Sequence, residues 1–114
     1  MNLKRLCLIL VLALTCFAQQ SATYASLADI SGMGAVVALS NTSIMARWVQ
    51  LMAPTANSSN VVCCDAAITT SRGAQISAGQ PWFLPPTGPA IDLSKVYVLV
   101  QSGDKLKVTY QVYP

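Results

Sequence analysis

Residues 95–112 constrain the fold more than any other part of the sequence, because apolar and polar residues alternate there in two consecutive runs. This period of two is typical of a β-strand with one buried face. The segment between the runs, Ser102-Gly103-Asp104, contains residue types that tight turns favour. The stretch therefore predicts a β-hairpin whose apolar face comprises Val96, Val98, Val100, Leu106, Val108, Tyr110 and Val112.

The rest of the sequence predicts further short strands. Residues 44–53 are apolar on both faces, which is typical of a central strand. Turn-forming residues recur about every eight to twelve positions, and no stretch has an amphipathic helical pattern. We therefore expect an all-β domain, a small antiparallel β-sandwich or jelly-roll-like barrel of about seven to eight short strands. Its core is expected to contain the large aromatic side chains Trp48, Trp82 and Phe83 and the tyrosines.

The N-terminal residues have the pattern of a signal peptide. Lys4 and Arg5 precede the apolar residues 6–18, a run shorter than the roughly 20 residues that span a membrane. Small residues suited to cleavage follow at Ala25 and, as an alternative, at Ala18. The sequence thus predicts a cleaved signal peptide at residues 1–25, a single domain at residues 26–114, a secreted protein (periplasmic or extracellular), and no membrane attachment after cleavage.

The charge of the predicted domain is small. Residues 26–114 contain five basic residues and four aspartates, a formal net charge of +1. This argues against nucleic acid as a partner, since phosphate binding relies on clustered lysine and arginine. A surface with so few charges favours association with other chains. We expect a homo-oligomer, a larger structural protein as partner, or both.

The sequence lacks the usual residues of catalysis. It contains no histidine and no glutamate, so neither a Ser-His-Asp nor a Cys-His arrangement can form. Asp92 and Asp104 lie at predicted turns, where backbone capping is the ordinary role of an aspartate. No phosphate-binding glycine loop and no zinc spacing is present. We predict a protein that is not an enzyme and that has no catalytic, metal or cofactor-binding residues.

Cys63 and Cys64 are the only cysteines of the predicted domain. Neighbouring residues of a strand point to opposite faces, which disfavours a bond between them. Two interpretations stay open: unpaired thiols with one side chain buried, or an interchain disulfide formed in an oxidising compartment.

Trp82, Phe83 and Arg72 are candidates for a binding platform. An exposed tryptophan beside polar groups suits a carbohydrate or a peptide, and Arg72 lies in a predicted turn. The alternatives are that the aromatic residues close one end of a sandwich and that the arginine is merely solvated. A glycan is thus one expected partner.

A series of short motifs occurs in a definite order along the sequence. The motifs are Ala46-Arg47-Trp48-Val49, Ala53-Pro54-Thr55 with Asn57, Ser71-Arg72-Gly73, Ala78-Gly79, Leu84-Pro85-Pro86, Asp92-Leu93-Ser94-Lys95-Val96-Tyr97-Val98 and residues 102–110. Their order resembles that of small all-β accessory proteins encoded among the structural genes of tailed bacteriophages. The resemblance implies a virion component, of decoration or fibre-associated type, that self-associates and contacts a larger shell protein. The alternative is a secreted bacterial module that binds a glycan or a protein.

Overall fold

The computed structural model describes residues 23–84 and 90–113, which fold as ten β-strands and one turn of 3-10 helix. The strands are β1 (Tyr24–Ser26), β2 (Ile30–Ser31), β3 (Val36–Ala38), β4 (Met45–Met52), β5 (Val61–Cys64), β6 (Ala74–Ile76), β7 (Pro81–Leu84), β8 (Ile91–Asp92), β9 (Tyr97–Leu99) and β10 (Lys105–Val112). The 3-10 helix is Leu93–Lys95.

The strands form two sheets in which every pairing is antiparallel. The six-stranded sheet has the order β1-β10-β4-β7, with β2 also paired to β10 and β8 to β4. The four-stranded sheet has the order β3-β9-β5-β6. Since buried side chains from both sheets form one core cluster, the prediction of a small antiparallel β-sandwich is confirmed.

Strand β4 is the central strand that the sequence predicts, and it contains a β-bulge. Gln111 lies opposite Trp48 and Val112 lies opposite Ala46, so Arg47 is the extra residue. The bulge places both Ala46 and Val49 in the core, at 0 % exposure each. It therefore explains why residues 44–53 do not alternate regularly in sequence.

The core consists mainly of aliphatic side chains. Fully buried residues come from both sheets, among them Val49, Leu51, Ile76, Val98 and Leu106. The prediction of an aromatic core is wrong for Trp82 and Phe83, which are 39 % and 60 % exposed, and Trp48 is only half-buried. The core is filled mainly by valine, leucine and isoleucine, and Tyr110, 9 % exposed, belongs to its buried cluster. The prediction is therefore confirmed for this tyrosine, whereas the rings of Trp82 and Phe83 lie at the rim and on the surface.

The predicted hairpin of residues 95–112 is also wrong. Strand β9 pairs with β3 and β5 in one sheet, whereas β10 pairs with β1, β2 and β4 in the other. The turn between them does form, with Asp104 N–H donating to the Gln101 carbonyl at 3.0 Å. The reason is that β9 is apolar on both faces: Leu99 is 5 % exposed and packs with Val62 and Ile68. The chain thus crosses between the sheets at this turn.

The predicted signal peptide falls almost entirely on residues 1–22, which lie outside the described residues. Tyr24 and Ala25, at its end, belong to β1 and pair with Gln111 and Tyr110. The predicted boundary at residue 25 therefore passes through a strand. Within residues 23–84 and 90–113, no helix is long and apolar enough to cross a membrane.

Candidate functional site

An uncharged surface with three aromatic rings covers part of the outward side of the six-stranded sheet. Residues that are paired across strands share a face, and two such rows lie side by side here. One row contains Tyr24, Gln111 and Trp48, and the other contains Ser26, Thr109, Gln50 and Phe83. We call these seven residues the outer aromatic face. None of them is charged.

The three rings of the outer aromatic face are close to one another. The centroid of Trp48 is 5.9 Å from that of Tyr24 and 6.5 Å from that of Phe83, with interplanar angles of 54° and 58°. Tyr24 is 61 % exposed and Phe83 is 60 % exposed. Tilted aromatic pairs at this separation are favourable, and the three rings form an apolar stripe across the sheet.

Trp82 lies on the other side of the same sheet. It pairs with Leu51, whose side chain is in the core, and its ring therefore lies at the rim of the sandwich. It lines a cleft of about 400 Å³ together with Gln75, Ser77 and Gln80. A tryptophan beside two amides and a hydroxyl is thus the second candidate site.

The structure does not bring Trp82, Phe83 and Arg72 together as one platform. Trp82 and Phe83 are neighbours in β7, so they point to opposite faces. Arg72 lies in the connection between β5 and β6, where its backbone N–H donates to the Thr69 hydroxyl at 3.0 Å. It does not line the cleft beside Trp82. The platform therefore divides into three separate places.

Cys63 and Cys64 are bonded to each other in this structure, across a cis peptide bond. This differs from both predicted states, unpaired thiols and a bond to a second chain. Cys63 is 1 % exposed and belongs to the core, and Cys64 is half-buried. The prediction assumed the side-chain alternation of a regular strand, and the end of β5 departs from it.

Hydrogen bonds of the Asn57 and Asp104 side chains hold the loop after β4 against the start of β10. The Asp104 carboxylate, 3 % exposed, accepts from the N–H groups of Ser58 and Ser59 at 2.9 and 3.0 Å and from the Ser58 hydroxyl at 3.2 Å. The Asn57 amide donates to the Lys105 carbonyl at 2.7 Å and accepts from its N–H at 2.9 Å. The backbone N–H of Ser58 is the main cause that holds the pKa of Asp104 below its usual value.

Asp92 has the capping role that the sequence predicts. Its carboxylate accepts from the hydroxyl and the N–H of Ser94 at 2.8 and 3.0 Å and from the Ser43 hydroxyl at 2.9 Å. The Ser94 hydroxyl is the main cause that lowers the pKa of this carboxyl group. Both aspartates are thus engaged in fixing loops.

Sequence reasoning missed the outer aromatic face because it placed Trp48 in the core and Tyr24 in the signal peptide. One signal was present: Trp48 shares its side of β4 with Gln50, and the opposite side has Val49 and Leu51. Within the described part of the chain, no three histidine, cysteine or acidic residues are placed to hold a metal ion.

The chain matches no protein-family model, no curated protein and no solved structure. The class is therefore defined by the fold alone, a small all-β sandwich. The outer aromatic face and the cleft beside Trp82 are two surface features of the described residues.

Proposed function

We propose that this chain is a non-enzymatic structural protein that acts by self-association, with the outer aromatic face as the contact between copies. The observation that carries the proposal is the exposure of Tyr24 and Phe83 on either side of Trp48. Tyrosine, tryptophan and phenylalanine are enriched at protein interfaces and supply much of their binding energy. An exposed apolar patch on a chain with few charges favours such a role.

A second copy is the best-suited partner because the face is uncharged. In a two-fold symmetric contact the same patch meets itself, so any charge near the axis would face a like charge. The seven residues of the outer aromatic face carry no charge, so no such repulsion arises between them. The charge that follows along β10, Lys107, lies 3.0 Å from the Asp29 carboxylate and is neutralised by it. The absence of charge therefore allows the face to meet a second copy of itself without repulsion.

The sequence suggests two biological settings for the proposed self-association, a phage particle and the outside of the cell. The resemblance to phage accessory proteins favours a repeated building block that decorates a larger assembly. The N-terminal pattern favours export to the periplasm or the medium, and cleavage after Ala18 would leave β1 whole. These two settings differ in whether the N-terminus is retained.

Size-exclusion chromatography with light scattering, on the chain purified from a secreting host, tests self-association. We expect a defined oligomer whose mass does not change with reductant, because the Cys63–Cys64 bond lies within one chain. The double substitution Tyr24→Ser and Phe83→Ser should reduce the mass to that of a monomer. The intact mass of the same sample gives the N-terminus.

Met33→Ser is the matched control, because Met33 is a 71 % exposed apolar residue outside the outer aromatic face. It should leave the oligomer intact. A monomer at all concentrations would overturn the proposal, and so would an oligomer that survives the double substitution. Circular dichroism of each variant establishes that the fold is retained.

A further inference from the structure

Two polar clefts meet at strand β6, and neither contains a residue of the outer aromatic face. Among the described strands, β6 pairs with β5 alone. One cleft, of about 540 Å³, includes Asn60, Thr70 and Gln101 in its lining. The other is the cleft beside Trp82, and Gln75 of β6 lines both. We call the two clefts together the edge groove.

None of the described residues that line the edge groove carries a charge. Its polar groups are amides and hydroxyls from asparagine, glutamine, serine and threonine. These groups both donate and accept hydrogen bonds, as do the hydroxyls of a sugar. A phosphate or carboxylate ligand would find no cation in such a groove, and an ammonium ligand would find no anion.

Trp82 supplies the apolar element of the edge groove. The residue is 39 % exposed and lines its cleft together with Pro81 and the buried Ile76. Binding sites for small ligands combine aromatic surface with a few well-placed polar groups. The apolar face of a pyranose ring fits against an indole, and its hydroxyls at the ring edge then reach amides such as those of Gln75 and Gln80.

We propose that the edge groove binds a neutral oligosaccharide, with one sugar stacked on Trp82 and the following sugars hydrogen-bonded past Gln75 to the cleft that includes Asn60. Two clefts that share Gln75 suit several linked sugars better than one. A peptide added as a strand to β6 is the less suited ligand, since β6 has only three residues.

Isothermal titration calorimetry on the purified protein tests this site. The probes are hexasaccharides of glucose, mannose, xylose and N-acetylglucosamine, with a polygalacturonate fragment as the anionic comparison. We expect binding of at least one neutral probe and none of the anionic one. Trp82→Ala should weaken binding at least about tenfold, as the loss of a main contact surface does.

Two further variants make the result decisive. Gln75→Glu keeps the size of an exposed side chain and should also weaken binding, which guards against misfolding of the Trp82→Ala protein. Phe83→Ala removes the neighbouring ring on the opposite face and should leave the sugar affinity unchanged. No binding of any neutral probe, or binding that Trp82→Ala and Gln75→Glu leave unchanged, would overturn this proposal. Either result would leave the proposed self-association standing, because that proposal depends on Phe83 and not on Trp82 or Gln75.

Discussion

Asp104 shows how one residue fixes a loop through its charge. Both carboxylate oxygens accept from backbone N–H groups, so Asp104→Asn would turn one acceptor into a donor facing another donor. We expect this variant to melt several degrees below the parent at neutral pH. Thermal unfolding followed by circular dichroism measures the difference.

The same interaction predicts a pH dependence with a definite sign. The pKa of Asp104 is lowered in the folded protein from its ordinary value of 3.8. Its stabilising contribution is therefore complete above pH 3.8 and is lost as the pH falls through the lower, folded value. The gap in melting temperature between parent and Asp104→Asn should narrow below pH 3.8.

Asp65→Asn is the control for Asp104. Asp65 is exposed, and its carboxylate accepts one hydrogen bond, from the Ala67 N–H at 2.8 Å. The side-chain oxygen of an asparagine can accept the same hydrogen bond. Its melting temperature should stay close to that of the parent at every pH. A difference in melting temperature between parent and Asp104→Asn that stays constant down to pH 2 would contradict the stabilising role assigned to the Asp104 carboxylate.

Trp48 and Leu51 differ in what they contribute to stability. Leu51 is 0 % exposed in the core, and Leu51→Ala should destabilise the fold by about 2–5 kcal/mol. Trp48 is half-buried on the outward side of the sheet, so Trp48→Ala should cost less despite the larger side chain. Urea denaturation of the two variants, at concentrations where both are monomeric, compares them. The reverse order would mean that the ring is part of the core after all.

At the scale of elements, two glycines with positive φ distinguish a crowded turn from an open one. Gly73 has φ +123°, and a Cβ there would lie 2.6 Å from the Cys63 carbonyl oxygen and 2.7 Å from Val62 Cγ1. Gly103 has φ +87° with nothing within 4 Å of a Cβ. Gly103→Ala should therefore cost about 1–2 kcal/mol from the backbone conformation alone.

Gly73→Ala should cost clearly more than Gly103→Ala, because β5 and β6 must also move apart. Urea denaturation of both variants gives the two free energies of unfolding. Equal free energies of unfolding would show that the connection between β5 and β6 accommodates the added methyl group without moving the strands.

Individual strands were more predictable than their partners. Residues 44–53 revealed a central strand because both faces are apolar, and the turn at Gly103 was evident from its residue types. The pairing of β9 with β10 was wrong, since alternation tells which side of a strand is buried and not which sheet the strand joins. Leu99, apolar on the supposedly wet side, was the residue that argued against a hairpin.

At the scale of the whole molecule, neither candidate site is local in sequence. The outer aromatic face unites Tyr24, Trp48 and Phe83, which come from β1, β4 and β7. The edge groove unites Asn60, Gln75 and Gln101 in the same way. Only the strand order brings these residues together, and that order follows from long-range packing. The type of fold was therefore predictable, and so were Trp82 and Phe83 as candidate residues, whereas the residues that join each of them in a site were not.

The crossing of the chain from β9 to β10 has a consequence for how the protein folds while it is being synthesised. Strand β10 lies between β1 and β4, although it is synthesised after both of them. Until residue 112 has emerged, the six-stranded sheet lacks a middle strand, and the core lacks the buried side chains of Leu106, Val108 and Tyr110. The growing chain therefore stays incompletely folded until β10 is available. A chain in that state can still be threaded through a narrow channel, as export of the proposed kind requires.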